Sequence, residues 1–219
     1  MKELQITTAL FDLDGVVFDT ESQYTKFWGS QCRLYHPDNL GLEYKIKGQT
    51  LVQIFDKYFS TPELVKEQNN IIKRLNDFES HMQFEYVDGF VDFIGDLRKK
   101  NIHTAVVTSS NKAKMSAVYT YHPEFCSMFD AILTSEDFDK SKPDPDCYFK
   151  AANRFNAEPK ECVVFEDSFN GLKAGKAAGM WVIGLSTTNS ANLIAPYCNY
   201  VITNYEGVNY QKMKEMLEI

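Results

Sequence analysis

The stretch LFDLDGVVFDTE, Leu10 to Glu21, decides how this chain is read. It follows Thr7, Thr8 and Ala9 and is apolar until Asp12, then carries a second acid at Asp14 and a glycine at Gly15. A run that is apolar at successive positions marks a strand covered on both faces, the kind found in parallel sheets. In such sheets ligands bind beyond the carboxyl ends of the strands. Two acids at the end of a buried strand are therefore either ordinary turn residues or the start of a site.

Four further runs have the same character: HTAVVTSS (103–110), AILTSE (131–136), ECVVFED (161–167) and WVIGLS (181–186), with NYVITN (199–204) as a sixth. Helical spacing separates most of them. Phe90, Phe93, Ile94 and Leu97 recur on one face before the strand at 103, Tyr148, Ala152 and Phe155 do so before 161, and GLKAGKAAGM reads as a small-residue helix. Alternating strands and helices imply an α/β protein, a Rossmann-like parallel sheet with helical crossovers. One crossover is far too long. Between Asp14 and His103 the chain carries its own helical patterns, such as Leu51, Ile54, Phe55 and Tyr58 after Gly48-Gln49-Thr50. Another begins at Thr61-Pro62-Glu63, a favourable helix start, with Leu64, Gln68, Ile71, Leu75, Phe78 and Met82 on one face. Residues 17–86 are therefore expected to form an inserted α-helical cap domain, and 1–16 with 87–219 the sheet core. Hinges are expected near Gly15–Asp19 and Tyr86–Gly89.

The chain has 219 residues, 44% of them hydrophobic, and a formal net charge of −7. It is long enough for one large domain with a smaller insertion. Charges of both signs are dispersed with no long basic run, which argues against a nucleic-acid partner. Five scattered cysteines (Cys32, Cys126, Cys147, Cys162, Cys198) include no C-x-x-C pair and read as thiols in a reducing compartment. No window suits a signal peptide or a membrane span. A cytoplasmic protein with no membrane partner, monomeric by default, is expected.

The residues that finish the strands then matter most. They are Asp12 and Asp14; Thr108, Ser109 and Ser110; Lys142 in the loop after the third strand; and Glu166 with Asp167. Singly, each has an ordinary reading: turn acids, a helix cap, a solvated lysine, a capped helix start at Ser168. Together they form a chemical set. Crowded carboxylates need a cation among them, and oxygen ligands with open positions suit Mg2+. A hydroxyl and free amides bind phosphoryl oxygens. A carboxylate aimed at phosphorus is a competent nucleophile, and a second acid two residues on can move the proton. Asp12 is assigned the attack and Asp14 the proton.

The segments DLDGVVFDTE, TSS, KPDPD and FEDSFNG resemble the four ordered motifs of the haloacid dehalogenase superfamily. Within it they are similar to the capped sugar-phosphate phosphatases and β-phosphoglucomutases, over residues 7–186. The resemblance implies that Asp12 is the nucleophile, that Asp14 is the general acid/base, and that Thr108 and Lys142 bind the phosphoryl group. It also implies that Asp12, the backbone carbonyl of Asp14, Asp167 and Glu166 hold magnesium. Ser109, Ser110, Glu21, Tyr24, Lys47 and Gln49 are expected to meet the substrate, and Trp28 to pack inside the cap. No role is expected of His36, His81, His103 or His122, read as surface or cap residues. By ungapped alignment Tyr24 and Leu51 stand where the mutases carry a histidine and an arginine. The expected activity is thus magnesium-dependent hydrolysis of a small phosphorylated substrate, foremost a sugar phosphate, with mutase-type phosphotransfer as the alternative. A phospho-signalling receiver module is the alternative of another class. It would carry its acceptor acid on a middle strand and lack the insertion.

Overall fold

Thr8–Phe11 forms β1, with all four residues buried. Its side chains alternate between two cores, as strand geometry requires: Ala9 and Phe11 point into one apolar cluster and Leu10 into another. The structure is a computed structural model and describes residues 5–47 and 49–219. Gly48, expected in the turn before the helix at 51, lies outside the described residues. Five strands join β1: β2 (His103–Val107), β3 (Ala131–Leu133), β4 (Cys162–Glu166), β5 (Trp181–Leu185) and β6 (Tyr200–Ile202). They form one sheet in the order β3-β2-β1-β4-β5-β6, and every pairing is parallel. The six expected strands are all present.

The helices are α1 (Glu21–Tyr35), α2 (Leu42–Ile46), α3 (Leu51–Tyr58), α4 (Pro62–Val65), α5 (Gln68–Ser80), α6 (Phe90–Lys99), α7 (Lys112–Tyr121), α8 (Phe125–Met128), α9 (Asp146–Asn153), α10 (Phe169–Ala177), α11 (Ala191–Ile194) and α12 (Tyr210–Leu217). Helices α6 to α12 belong to the sheet. On one face Phe11 stacks on Phe165 at 4.7 Å between ring centroids and meets Phe90 and Phe93 edge-on. Each such fully buried ring stabilises the fold by about 1.5–3 kcal/mol. This aromatic packing holds β1 and β4 rigidly side by side.

Helices α1 to α5 share an apolar cluster of their own, built from Phe27, Trp28, Phe55, Phe59, Ile71 and Leu75 among others. Trp28 is packed inside it. The helix expected to start at Thr61 is two helices. Thr61 makes no side-chain cap, and the chain breaks after α4 before α5 begins at Gln68. Glu67, at the junction, accepts instead from Tyr35 and Asn70. The segment's two links to the sheet run side by side: Asp19 N donates to Glu85 O and Val87 N to Val17 O, both at 2.9 Å. His122 is neither a surface nor a cap residue. Its ring stacks on Phe18 at 5.3 Å beneath these links.

Candidate active site

Strand register brings the site together. Phe11 is level with Val106 on β2 and Phe165 on β4. One step further on, Asp12 lies beside Val107 and Glu166. Its amide donates to Phe165 O at 3.1 Å, holding the chain in line. Lys142 arrives from the loop after β3 and is 3% exposed. Its ammonium donates to Asp12 Oδ1 and Glu166 Oε1, both at 2.6 Å, and to Val107 O at 2.9 Å. An ammonium has three hydrogens, and three acceptors take them. Burial works against the Lys142 charge, but Asp12 and Glu166 outweigh it and hold the group above its ordinary range. Asp12 is pushed up to about 7, first by burial; Lys142 opposes the rise and Glu166 adds to it.

Glu166 is fully buried and heavily used. Tyr148 donates to Oε1 at 2.7 Å, and Ser168 Oγ and two backbone amides face Oε2. Gly171 makes this possible, since a Cβ there would overlap the Glu166 carboxylate. Asp167 accepts from Thr188 Oγ1 and lies against Gly15, where φ is +71° and a Cβ would run into its carboxylate. Gly15 therefore serves both the left-handed turn after Asp14 and the close approach of Asp167. Burial lifts the Asp167 carboxyl well above the usual range, and Glu166 adds to it.

Asp14 sits on the other side. Thr20 donates to Oδ1 at 2.7 Å, and Ser110 Oγ (3.2 Å) and Lys114 Nζ (2.5 Å) to Oδ2. Thr108, 1% exposed, accepts from the Ser110 amide at 3.0 Å, and Asn111 rather than Thr108 or Ser109 caps α7. Ser168 does cap α10, accepting from the Gly171 amide at 3.1 Å.

A cavity of about 480 Å³ lies between the sheet edge and α1–α5. Asp12, Asp14, Thr108, Ser109, Ser110, Lys142 and Asp167 line its floor, and Glu21, Tyr24, Lys47 and Gln49 line the side of the insertion. Of the residues expected at the site only Glu166 is absent from the lining; it stands behind Lys142. Glu21 pairs with Lys47 at 3.8 Å, and burial with the nearby Asp14 charge pushes its carboxyl up to about 7. Gln49 donates to Lys45 O. Polar bridges reach across the cavity to the helices on its other side, among them Lys114 to Tyr24 OH at 2.5 Å and Asn170 Nδ2 to Gln53 Oε1 at 3.0 Å. Lys114, Tyr148 and Thr188 were not found from sequence. Lys114 looks like any helix lysine, and its partner is 100 residues away.

The residues present fit a divalent cation. Asp12, Glu166 and Asp167 each offer a carboxylate oxygen, and these oxygens lie within 4.8 Å of one another. The raised Asp12 and Asp167 carboxyls report the same crowding of buried negative charge, which an oxygen-liking cation relieves.

Comparison with known proteins agrees with this geometry. Residues 9–185 match the family model of haloacid dehalogenase-like hydrolases, and the chain belongs to that family. A bifunctional riboflavin kinase/FMN phosphatase of Arabidopsis thaliana is 28% identical over 93% of this chain, which spans only 54% of that protein. A validoxylamine A 7′-phosphate phosphatase of Streptomyces hygroscopicus subsp. limoneus is 28% identical, covering 85% of this chain and 89% of its own. The crystal structure of a HAD hydrolase, family IA, variant 3, from Entamoeba histolytica superposes with a TM-score of 0.81 at 22% identity, over 98% of this chain and 100% of that one. The protein is an enzyme of this family, a phosphoric monoester hydrolase. Among the described residues no helix is long and apolar enough to cross a membrane.

Proposed function

We propose that the protein is a magnesium-dependent phosphatase of small phosphorylated metabolites, foremost sugar phosphates, acting through an aspartyl-phosphate on Asp12. One observation carries the reading. Asp12 is anchored through Oδ1 by the buried Lys142, while among the described residues no hydrogen bond is made to its second oxygen. That carboxylate faces a cavity floored by Thr108, Ser109 and Asp167. In the first half-reaction an Asp12 oxygen bonds to phosphorus as the ester P–O bond breaks, and Asp14 gives its proton to the departing oxygen. In the second, Asp14 takes a proton from water, water oxygen bonds to phosphorus, and the Asp12–phosphorus bond breaks. Thr108 donates to a phosphoryl oxygen throughout, while Lys142, its three hydrogens already engaged by Asp12, Glu166 and Val107, stabilises the phosphoryl charge electrostatically. Asp12, Asp167 and the Asp14 carbonyl would hold the magnesium, with Glu166 reaching it at most through water because its oxygens are engaged by Lys142, Tyr148 and Ser168. When bound, magnesium neutralises charge on the phosphoryl oxygens.

Residues 17–86 act in this reading as the cap that excludes water. The apolar Leu51 in the cavity lining, at the position of a mutase arginine, favours hydrolysis over mutase-type transfer. The dispersed charge goes with a monomeric cytoplasmic enzyme that needs neither nucleic acid nor membrane. Phosphate release from a panel of sugar phosphates, nucleotides and pyrophosphate tests the proposal. Activity should require magnesium and fall at least ~10³-fold in Asp12→Asn. Exchange of phosphate between sugar carbons without net release would overturn it.

A further inference from the structure

Lys114 is the buried cation the reaction above does not use. It is the third residue of α7 and 3% exposed, yet it lines the cavity. Burying an ammonium costs several kcal/mol unless partners recover it. Its partners come from both halves of the molecule. Nζ donates at 2.5 Å to Asp14 Oδ2 in the sheet domain and at 2.5 Å to Tyr24 OH on α1. Tyr24 OH in turn donates to Glu79 Oε1 on α5 at 2.7 Å, and the ammonium lies 4.7 Å from the Tyr24 ring centroid. Glu79, Tyr24, Lys114 and Asp14 thus form a continuous hydrogen-bonded chain from the insertion to the acid.

Among the described residues Asp14 is otherwise held by neutral hydroxyls, Thr20 on one oxygen and Ser110 on the other. The charged bond from Lys114 is the strongest of the three. Through Tyr24 and Glu79 it is also tied to both α1 and α5, whereas Thr20, at the N-cap of α1, follows α1 alone. We propose that Lys114 is a positioning residue that orients Asp14 toward the leaving-group oxygen, and that Tyr24 and Glu79 make this orientation conditional on a seated cap. The proposal rests on the phosphatase reading and adds a coupling to it. Removing Lys114 should injure the proton-transfer task of Asp14 while leaving the Asp12, Lys142 and Asp167 cluster untouched.

The leaving group separates these tasks. An alkoxide needs a proton to depart and p-nitrophenolate does not. With magnesium, kcat and KM are measured for glycerol 2-phosphate and p-nitrophenyl phosphate in wild type, Lys114→Met, Tyr24→Phe and Asp14→Asn. General acid catalysis is worth about 10²–10⁴-fold, and kcat/KM reports only the steps up to leaving-group departure, so Lys114→Met should raise the kcat/KM ratio of p-nitrophenyl phosphate to glycerol 2-phosphate by ~10-fold or more. Tyr24→Phe should raise it in the same direction by less. Equal proportional loss of kcat/KM on both substrates overturns the proposal. If circular dichroism shows Lys114→Met unfolded, Tyr24→Phe decides: a raised ratio supports the coupling and an unchanged one sinks it. Failure of the underlying reading looks different. Asp14→Asn would then leave the ratio unchanged, or Asp12→Asn would remain active, and the proposal would fall with it.

Discussion

Replacing Lys142 by Met tests the centre of the site. The variant keeps the stem and deletes the charge, stranding Asp12 and Glu166 without their shared cation. Carboxylate oxygens of this cluster lie within 4.8 Å of one another. At an effective dielectric of about 20, two unit charges that far apart repel by about 3.5 kcal/mol. Deleting one partner of a buried pair typically costs about 3–5 kcal/mol, so two independent routes agree. For a chain of this size that is a fall of roughly 6–20 °C in Tm. The assay is thermal unfolding followed by circular dichroism in EDTA, with p-nitrophenyl phosphate hydrolysis measured in parallel after adding magnesium. Adding Glu166→Gln to the variant removes one of the stranded charges and should recover about 1 kcal/mol or more, whereas Glu166→Gln in wild type should destabilise. The pH dependence supplies a sign. Asp12 is already raised from 3.8 to about 7 with Lys142 opposing the rise. The unfolded chain therefore loses this proton before the folded one does, and wild-type stability falls from about pH 4 to about pH 7 and then levels. Without Lys142 the folded carboxyl rises further, so the gap between variant and wild type should widen above pH 7. A Tm within 2 °C of wild type (about 1 kcal/mol), or additive single and double variants, would refute the reasoning.

Gly171→Ala sets two effects against each other. Alanine in a helix gains up to about 1 kcal/mol over glycine, but the new Cβ meets the Glu166 carboxylate, and overpacking costs about 1–3 kcal/mol. Net destabilisation and a fall in kcat are expected, read by urea unfolding and phosphate release; a stabilised, fully active variant would show that Glu166 yields freely. Glu21 is held at about 7 against an ordinary 4.5, so the folded state retains a proton that the unfolded state loses across that window, and wild-type stability falls as pH rises through it. Glu21→Gln should flatten this decline in metal-free protein, by at most about 3 kcal/mol; equal slopes for both proteins between pH 4.5 and 7 would contradict it.

The sheet, and which residues gather at its edge to form the candidate site, could mostly be read from local pattern. Strand ends are legible because β1, β2 and β4 are apolar on both faces and stop abruptly at Asp12, Thr108 and Glu166. Parallel register then does the rest, since neighbouring strands that stop level with one another bring their last residues to one edge. Lys142 could be placed only by its motif, because a lysine in a loop has no periodicity to betray burial. Lys114 was invisible for the same reason. Its helix has little amphipathic contrast, and its burial comes from Asp14 and Tyr24, which local windows do not contain. The split between α4 and α5 escaped because apolar spacing continues across it and Lys66 and Glu67 keep right-handed backbone angles; the break is a tightened turn in which Glu67 N donates to Leu64 O. Ser168 carried two meanings at once. It closes the first turn of α10 and also braces Glu166, so the cap reading holds and the same side chain supports an acid of the candidate site.

The paired links at Val17–Asp19 and Glu85–Val87 have a consequence for how such an enzyme can change. The inserted helices leave and re-enter the sheet domain through one doorway, where two strands of chain are laced together. Whatever is threaded through that doorway places no demand on the strands behind it. A different insertion, longer or shorter, could be exchanged there and alter which molecules gain admission while the phosphorus-handling machinery stays as it is.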